Sequence, residues 1–150
     1  YLHQPEKTDE VIRDGWYQTG DVALLDKEGF IKITGRESRF SKIAGEMVPH
    51  VRVEEVIQKV IGGDGEEGGP QVVVTAVPDA RKGERLIVVH TKLNKTPDAI
   101  AKELQTAGIP NLWIPGGDCY LEVDHIPVLG TGKLDLRALK KLAMDKFAPA

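Results

Sequence analysis

The chain is poor in cysteine, in long apolar runs and in net charge, and each shortage excludes a class of protein. A lone thiol, Cys119, rules out an intramolecular disulfide and any multi-thiolate metal site, which makes the cytoplasm the default compartment. No apolar run approaches the ~20 residues needed to cross a bilayer. The opening Tyr1-Leu2-His3-Gln4-Pro5 lacks the pattern of a signal peptide, and no methionine precedes it, so a piece cut from a longer protein is expected. Lys and Arg number 20 against 23 Asp and Glu, a formal charge of −3, where a nucleic-acid module would usually be basic. With 41% hydrophobic and 29% charged residues the mix is that of a globular domain, not a disordered one. A chain of 150 residues holds one domain, or one domain and part of another. Folding at this size hides roughly 68–70% of the unfolded surface, enough for a core without staples.

The apolar pattern supplies the elements. Thr8-Asp9-Glu10 before Val11-Ile12 predicts a short capped helix ended at Asp14-Gly15. Val22–Leu25 and Phe30–Ile33 flank Asp26-Lys27-Glu28-Gly29 and predict a hairpin. Gly35 to Met47 is polar and glycine-punctuated, a linker leading into a short ribbon. Val53, Val56, Ile57, Val60 and Ile61 then share one helical face behind Pro49, ending at Gly62-Gly63. The acidic Gly62–Pro70 stretch reads as a flexible surface connection, because its three carboxylates would repel a phosphate. Val72–Val77 and Leu86–His90 predict buried strands. Thr96-Pro97-Asp98 opens a helix running to Gly108. Cys119–Val123 predicts a strand, and Asp135 caps a last helix with Leu136, Leu139, Leu142 and Ala143 inward. From residue 37 the order is β, α, β, β, α, β, α, an α+β or open α/β domain of about 110 residues.

Chemistry concentrates in two places. Lys133 follows Leu129-Gly130-Thr131-Gly132, a mobile, low-bulk loop able to bring an ammonium to an anionic group such as phosphate. The competing reading is a solvated surface lysine beside a turn. Asp21 and Arg36 lie at one end of the predicted hairpin, where a carboxylate and a guanidinium would suit ribose hydroxyls, or would simply form a surface salt bridge. His3, His50, His90 and His125 have no mutual metal or nucleophile spacing and read as structural or solvated. Trp16 and Trp113 are expected to pack rather than stack on a base, and Cys119 to be an inert core thiol.

Taken together, these segments resemble the carboxyl-terminal part of the adenylate-forming acyl-activating enzymes, the acyl-CoA synthetases, luciferases and peptide-synthetase adenylation domains. Gly15-Trp16-Tyr17-Gln18-Thr19-Gly20-Asp21 resembles the family's ribose-binding segment. Gly35-Arg36 through Lys42 and Gly45-Glu46 resembles its hinge and ribbon, and Pro127 through Lys133 its catalytic lysine loop. Arg39 to Val48 and Leu129 to Lys133 are similar to one branch, the bacterial acyl-acyl-carrier-protein synthetases that are also 2-acylglycerophosphoethanolamine acyltransferases.

The resemblance implies that residues 1–35 are the tail of a large amino-terminal domain, 36–38 a hinge, and 39–150 a small mobile lid with a three-stranded sheet, flanking helices and a two-stranded ribbon. It implies two steps. A fatty carboxylate attacks the α-phosphorus of ATP, giving acyl-adenylate and pyrophosphate; a thiol then takes the acyl group and AMP leaves. By motif match Asp21 and Arg36 would bind the nucleotide, and Lys133 would neutralise the charge growing in the first step. Ser38 would be the hinge, and the backbone near Gly45 would line the pantetheine channel after the lid rotates. Mg2+ would accompany ATP, held mainly by the large domain. The thiol would be the phosphopantetheine of acyl carrier protein or CoA, with a lysophospholipid as an onward acceptor in the named branch.

Two residues depart from the family pattern. Ser38 stands where Asp or Lys is usual, and Met47 where many members carry an arginine soon after the ribbon glycine. A Ser/Thr/Gly-rich phosphate loop ending in lysine is missing, so the 150 residues alone are expected not to adenylate a fatty acid. The parent protein is expected in the cytoplasm, with the inner membrane as the alternative through parts outside this sequence. A non-catalytic docking module for a carrier protein or cofactor arm is the competing function, and a purely structural α+β domain ranks last.

Overall fold

A computed structural model describes residues 1–62 and 70–147, which divide into two compact units, Tyr1–Ser38 and Arg39–Ala150. The acidic, glycine-rich stretch that was expected to form a surface connection lies, at residues 63–69, outside the described residues.

In the first unit helix α1 spans Pro5–Val11, three residues ahead of the expected start. Pro5 occupies the first turn, where its fixed φ and missing N–H are harmless. Thr8 is therefore inside the helix, and its Oγ1 donates to the Gln4 carbonyl at 3.1 Å instead of capping. Two dipeptide strands follow, β1 (Ile12–Arg13) and β2 (Trp16–Tyr17), joined by Asp14-Gly15. Strands this short carry no alternation signal. Trp16 is 81% exposed, contrary to the packing expected of it, on a two-stranded ribbon all of whose residues are exposed. Strands β3 (Asp21–Leu25) and β4 (Ile31–Arg36) form the predicted hairpin, in register from Asp21↔Arg36 to Leu25↔Ile31. Its turn is fastened by Asp26, whose Oδ1 accepts from the amides of Glu28 and Phe30 at 2.9 Å.

The second unit has the predicted order and is an α+β domain. A ribbon of β5 (Phe40–Ile43) and β6 (Glu46–Pro49) leads into α2 (His50–Ile61). Then come β7 (Val72–Asp79), β8 (Gly83–His90), α3 (Pro97–Thr106), β9 (Tyr120–Glu122) and α4 (Leu136–Phe147). The sheet order is β7-β8-β9, antiparallel between the first pair and parallel between the second. Both faces are covered, which is why β7 and β8 read as continuous apolar runs. Val72, Val74, Leu86 and Val88 meet Val53 and Ile57 of α2 and Ile100 and Leu104 of α3. Val73, Val77, Ile87 and Val89 meet Leu139 and Ala143 of α4. Helix α3 begins as expected, with Thr96 Oγ1 accepting from Ala99 N at 3.3 Å.

Cys119 falls in a 3-10 turn, Gly117–Cys119, one residue before β9, and not in the strand itself. It is still buried, and that desolvation, helped by the Asp118 carboxylate, pushes the thiol up and away from reactivity.

The free edge of β7 is occupied by side chains. Glu54 Oε1 accepts from Val74 N at 2.5 Å, Arg39 Nη1 donates to Val74 O at 3.2 Å, and Lys140 Nζ donates to Ala76 O at 2.6 Å. Arg39 Nη2 closes the group on Glu54 at 2.5 Å. An edge strand left bare would invite pairing with another chain; here three of its polar groups, Val74 N, Val74 O and Ala76 O, are taken by side chains of α2, α4 and the residue that opens the unit.

Candidate functional site

Lys133 is exposed on a turn whose base is closed by backbone bonds. Leu129 N donates to Lys133 O at 2.7 Å, Gly132 N to Leu129 O at 2.8 Å, and Val128 pairs with Leu134 in an isolated bridge. Gly132 has φ +80°, a conformation that a side chain would strain. The Gly-Thr-Gly spacing suggested a mobile, low-bulk loop; the structure shows a small hairpin with the lysine exposed on it. Its exit is fixed too. Asp135 N donates to Pro127 O at 3.0 Å, and Asp135 Oδ1 caps α4 by accepting from Arg137 N and Ala138 N at 3.1 and 3.0 Å. A single cation on a pinned, solvent-facing turn can be offered to an anion without rearranging its support.

Within the first unit Asp21 and Arg36 face each other across the end of the β3–β4 hairpin, and Arg36 Nε lies 2.7 Å from Asp21 Oδ1. The Arg36 side chain is 65% exposed and the Asp21 side chain 23%, so the pair adds little to folding. It does orient the carboxylate at the strand end, where Asp21 N is also bonded to Thr19 Oγ1 at 3.1 Å. Ser38 sits in a 3-10 turn, Glu37–Arg39, at the boundary of the two units.

The ribbon tip is the two-residue turn Ala44-Gly45, both with positive φ, +48° and +89°. The second position suits glycine, and an ideal Cβ there would meet nothing within 4 Å, leaving the backbone open to solvent. Met47, the second residue of β6, is 54% exposed.

Sequence reasoning missed a buried dyad at the ribbon's root. Ser41 Oγ and His50 Nε2 are 2.6 Å apart, and both residues are buried. Desolvation, reinforced by Arg39 and Lys140, pushes His50 down to about 3, so the ring is neutral at ordinary pH. It acts as a strut between β5 and α2. Nothing in a Ser–His separation of nine residues signals such a contact. Trp113 is half-buried against the core, as expected, but its Nε1 also donates to Glu46 Oε1 at 2.9 Å.

No family model matches the chain. It is 33% identical, over 67% of its length, to a long-chain-fatty-acid–CoA ligase of Salmonella typhimurium, of which it covers 17%. It is 31% identical, over 98% of its length, to the fatty acid–[acyl-carrier-protein] ligase ScoC of Streptomyces coeruleorubidus, of which it covers 26%. Among solved structures, the Mycobacterium tuberculosis fatty acyl CoA synthetase superposes with TM-score 0.65 at 25% identity, covering 99% of this chain and 28% of that one. ATP-bound MatB from Rhodopseudomonas palustris shares the fold, with TM-score 0.72 at 24% identity over 97% of this chain and 28% of that one. The chain belongs to the adenylate-forming, AMP-binding acyl-activating enzymes, as a counterpart of their C-terminal part. It spans about a sixth to a quarter of the length of these curated relatives.

Proposed function

We propose that the chain is the lid portion of an ATP-dependent ligase that activates a fatty acid as its acyl-adenylate and passes the acyl group to a thiol. The observation that carries this is Lys133 on its pinned, exposed turn, in a chain related to fatty-acid–CoA and fatty-acid–carrier-protein ligases. In the first step a carboxylate oxygen bonds to the α-phosphorus of ATP and the bond to pyrophosphate breaks. Lys133 neutralises the negative charge gathering between carboxylate and phosphate. Asp21 accepts from the ribose hydroxyls, and Arg36, already bonded to it, keeps that carboxylate turned and contributes a second donor. In the second step a thiol sulfur bonds to the acyl carbon and AMP departs. The open backbone at Gly45 lines the path of the pantetheine arm, and residues 36–38, Ser38 among them, are the hinge about which residues 39–150 turn between the steps.

The thiol donor is an acyl carrier protein or CoA, since the relatives include ligases of both kinds. Onward transfer to a lysophospholipid is the branch-specific extension. Mg2+ accompanies ATP and is held mainly by the large domain together with the triphosphate. The isolated 150 residues, on this reading, do not adenylate.

The test is fatty-acid-dependent ATP–pyrophosphate exchange by the full-length protein. Lys133→Ala is expected to lower exchange by on the order of 10²–10³ while thiol transfer from supplied acyl-adenylate survives. Unchanged exchange would retire the role of Lys133 and leave the chain as a docking module.

A further inference from the structure

The ribbon β5–β6 is tied at its root and again at its tip. The root tie is the buried Ser41–His50 contact to α2. At the tip, Ala44 N donates to Lys82 O at 2.7 Å and Lys42 N to Glu84 Oε2 at 2.8 Å, fastening one strand to the β7–β8 turn. The other strand is held from the opposite direction in sequence: Trp113 Nε1, in the 3-10 turn Asn111–Trp113, donates to Glu46 Oε1 at 2.9 Å across 67 residues. Glu46 is the residue directly after Gly45 and begins β6. Glu46 is exposed, and a hydrogen bond in that setting contributes little to global stability. Two-stranded ribbons are marginal by themselves. A tie that hardly stabilises the domain but fixes the residue beside an open glycine turn acts on the turn's position.

We propose that Trp113 and Glu46 are positioning residues for thiol capture: their bond holds the Ala44-Gly45 turn where the pantetheine arm must pass. The proposal rests on the lid reading given above. Acceptor and charge can be separated at Glu46. Glutamine keeps an Oε1 that accepts from the indole, and alanine does not, so the two variants separate the bond from the carboxylate charge.

The experiment uses the full-length protein, with ATP–pyrophosphate exchange for the first step and transfer from supplied acyl-adenylate to a phosphopantetheine thiol for the second. Trp113→Phe and Glu46→Ala are expected to leave exchange within twofold. They are expected to raise the KM for the thiol, or lower its transfer rate, by at least about fivefold, as small misplacements of a reacting group do. Glu46→Gln is expected to stay near wild type. Amide hydrogen exchange at Ala44–Met47 should quicken in the first two variants and not in the third, a readout independent of turnover. Glu46→Ala serves where Trp113→Phe folds poorly, since that side chain is exposed. Unchanged thiol kinetics in Glu46→Ala, or Glu46→Gln as impaired as Glu46→Ala, would overturn the positioning role while leaving the lid reading intact. A wild-type protein that performs neither half-reaction would overturn both.

Discussion

Replacing Glu54 by alanine should destabilise the second unit more than any single surface change. The carboxylate accepts from Arg39 Nη2 and from Val74 N, and Arg39 in turn donates to Val74 O. Side-chain exposure is 11% for Arg39 and 16% for Glu54, so water can replace little of what is lost. Removing Glu54 leaves a guanidinium without its counter-ion and an amide of the β7 edge without an acceptor. Breaking a buried pair in this one-sided way costs about 3–5 kcal/mol. Replacing both partners, Arg39→Met with Glu54→Leu, removes the charges together and should cost less than the sum of the single changes, because each single change strands the other partner. Urea unfolding at pH 7, followed by circular dichroism, gives all four corners of the cycle. A loss below about 1 kcal/mol in Glu54→Ala, or strict additivity in the double variant, would refute the view that the edge of β7 depends on this group.

Other outcomes follow from the same structure. His50 is held down to about 3 in the folded chain against 6.5 when unfolded, so the unfolded state binds the proton first as pH falls. Its contribution to stability is complete above pH 6.5 and is lost on going down toward pH 3; between pH 6.5 and 5 the loss is about 2 kcal/mol. His50→Gln should flatten that part of the stability profile, and an unchanged slope would count against the assignment. Asp135→Ala removes the acceptor for two amides at the start of α4 and should lower stability by about 1 kcal/mol, measured by the same unfolding experiment.

Local chemistry made much of the fold legible. Thr96-Pro97-Asp98 started α3, Asp135 capped α4, and the spacing of Val53, Val56, Ile57 and Ile61 turned one face of α2 to the core. These signals act over a single turn, so one sequence carries them whole. The helix α1 was misplaced because Pro5 outweighed Thr8 as a start, and the β1–β2 pair passed unseen because two-residue strands have no period. Cys119 slid out of its expected strand for a related reason: an apolar run does not mark where pairing with β8 begins.

The candidate site divides in the same way. Lys133, Asp21, Arg36 and Gly45 could be picked out as candidates because each sits in a short string of characteristic composition, and the hairpin register that sets Asp21 against Arg36 follows from a local turn. What holds the ribbon that carries Gly45, and the sheet edge beside it, is long-range. Ser41 meets His50, Glu46 meets Trp113, and Arg39 and Glu54 meet the edge of β7 only once the sheet has brought separate stretches together. Sequence alone determined which turns and helices form and which residues carry charge at their ends. The tertiary structure decided which polar groups are buried and with whom they pair, because desolvation and hydrogen-bond partnership across tens of residues exist only after the core has closed.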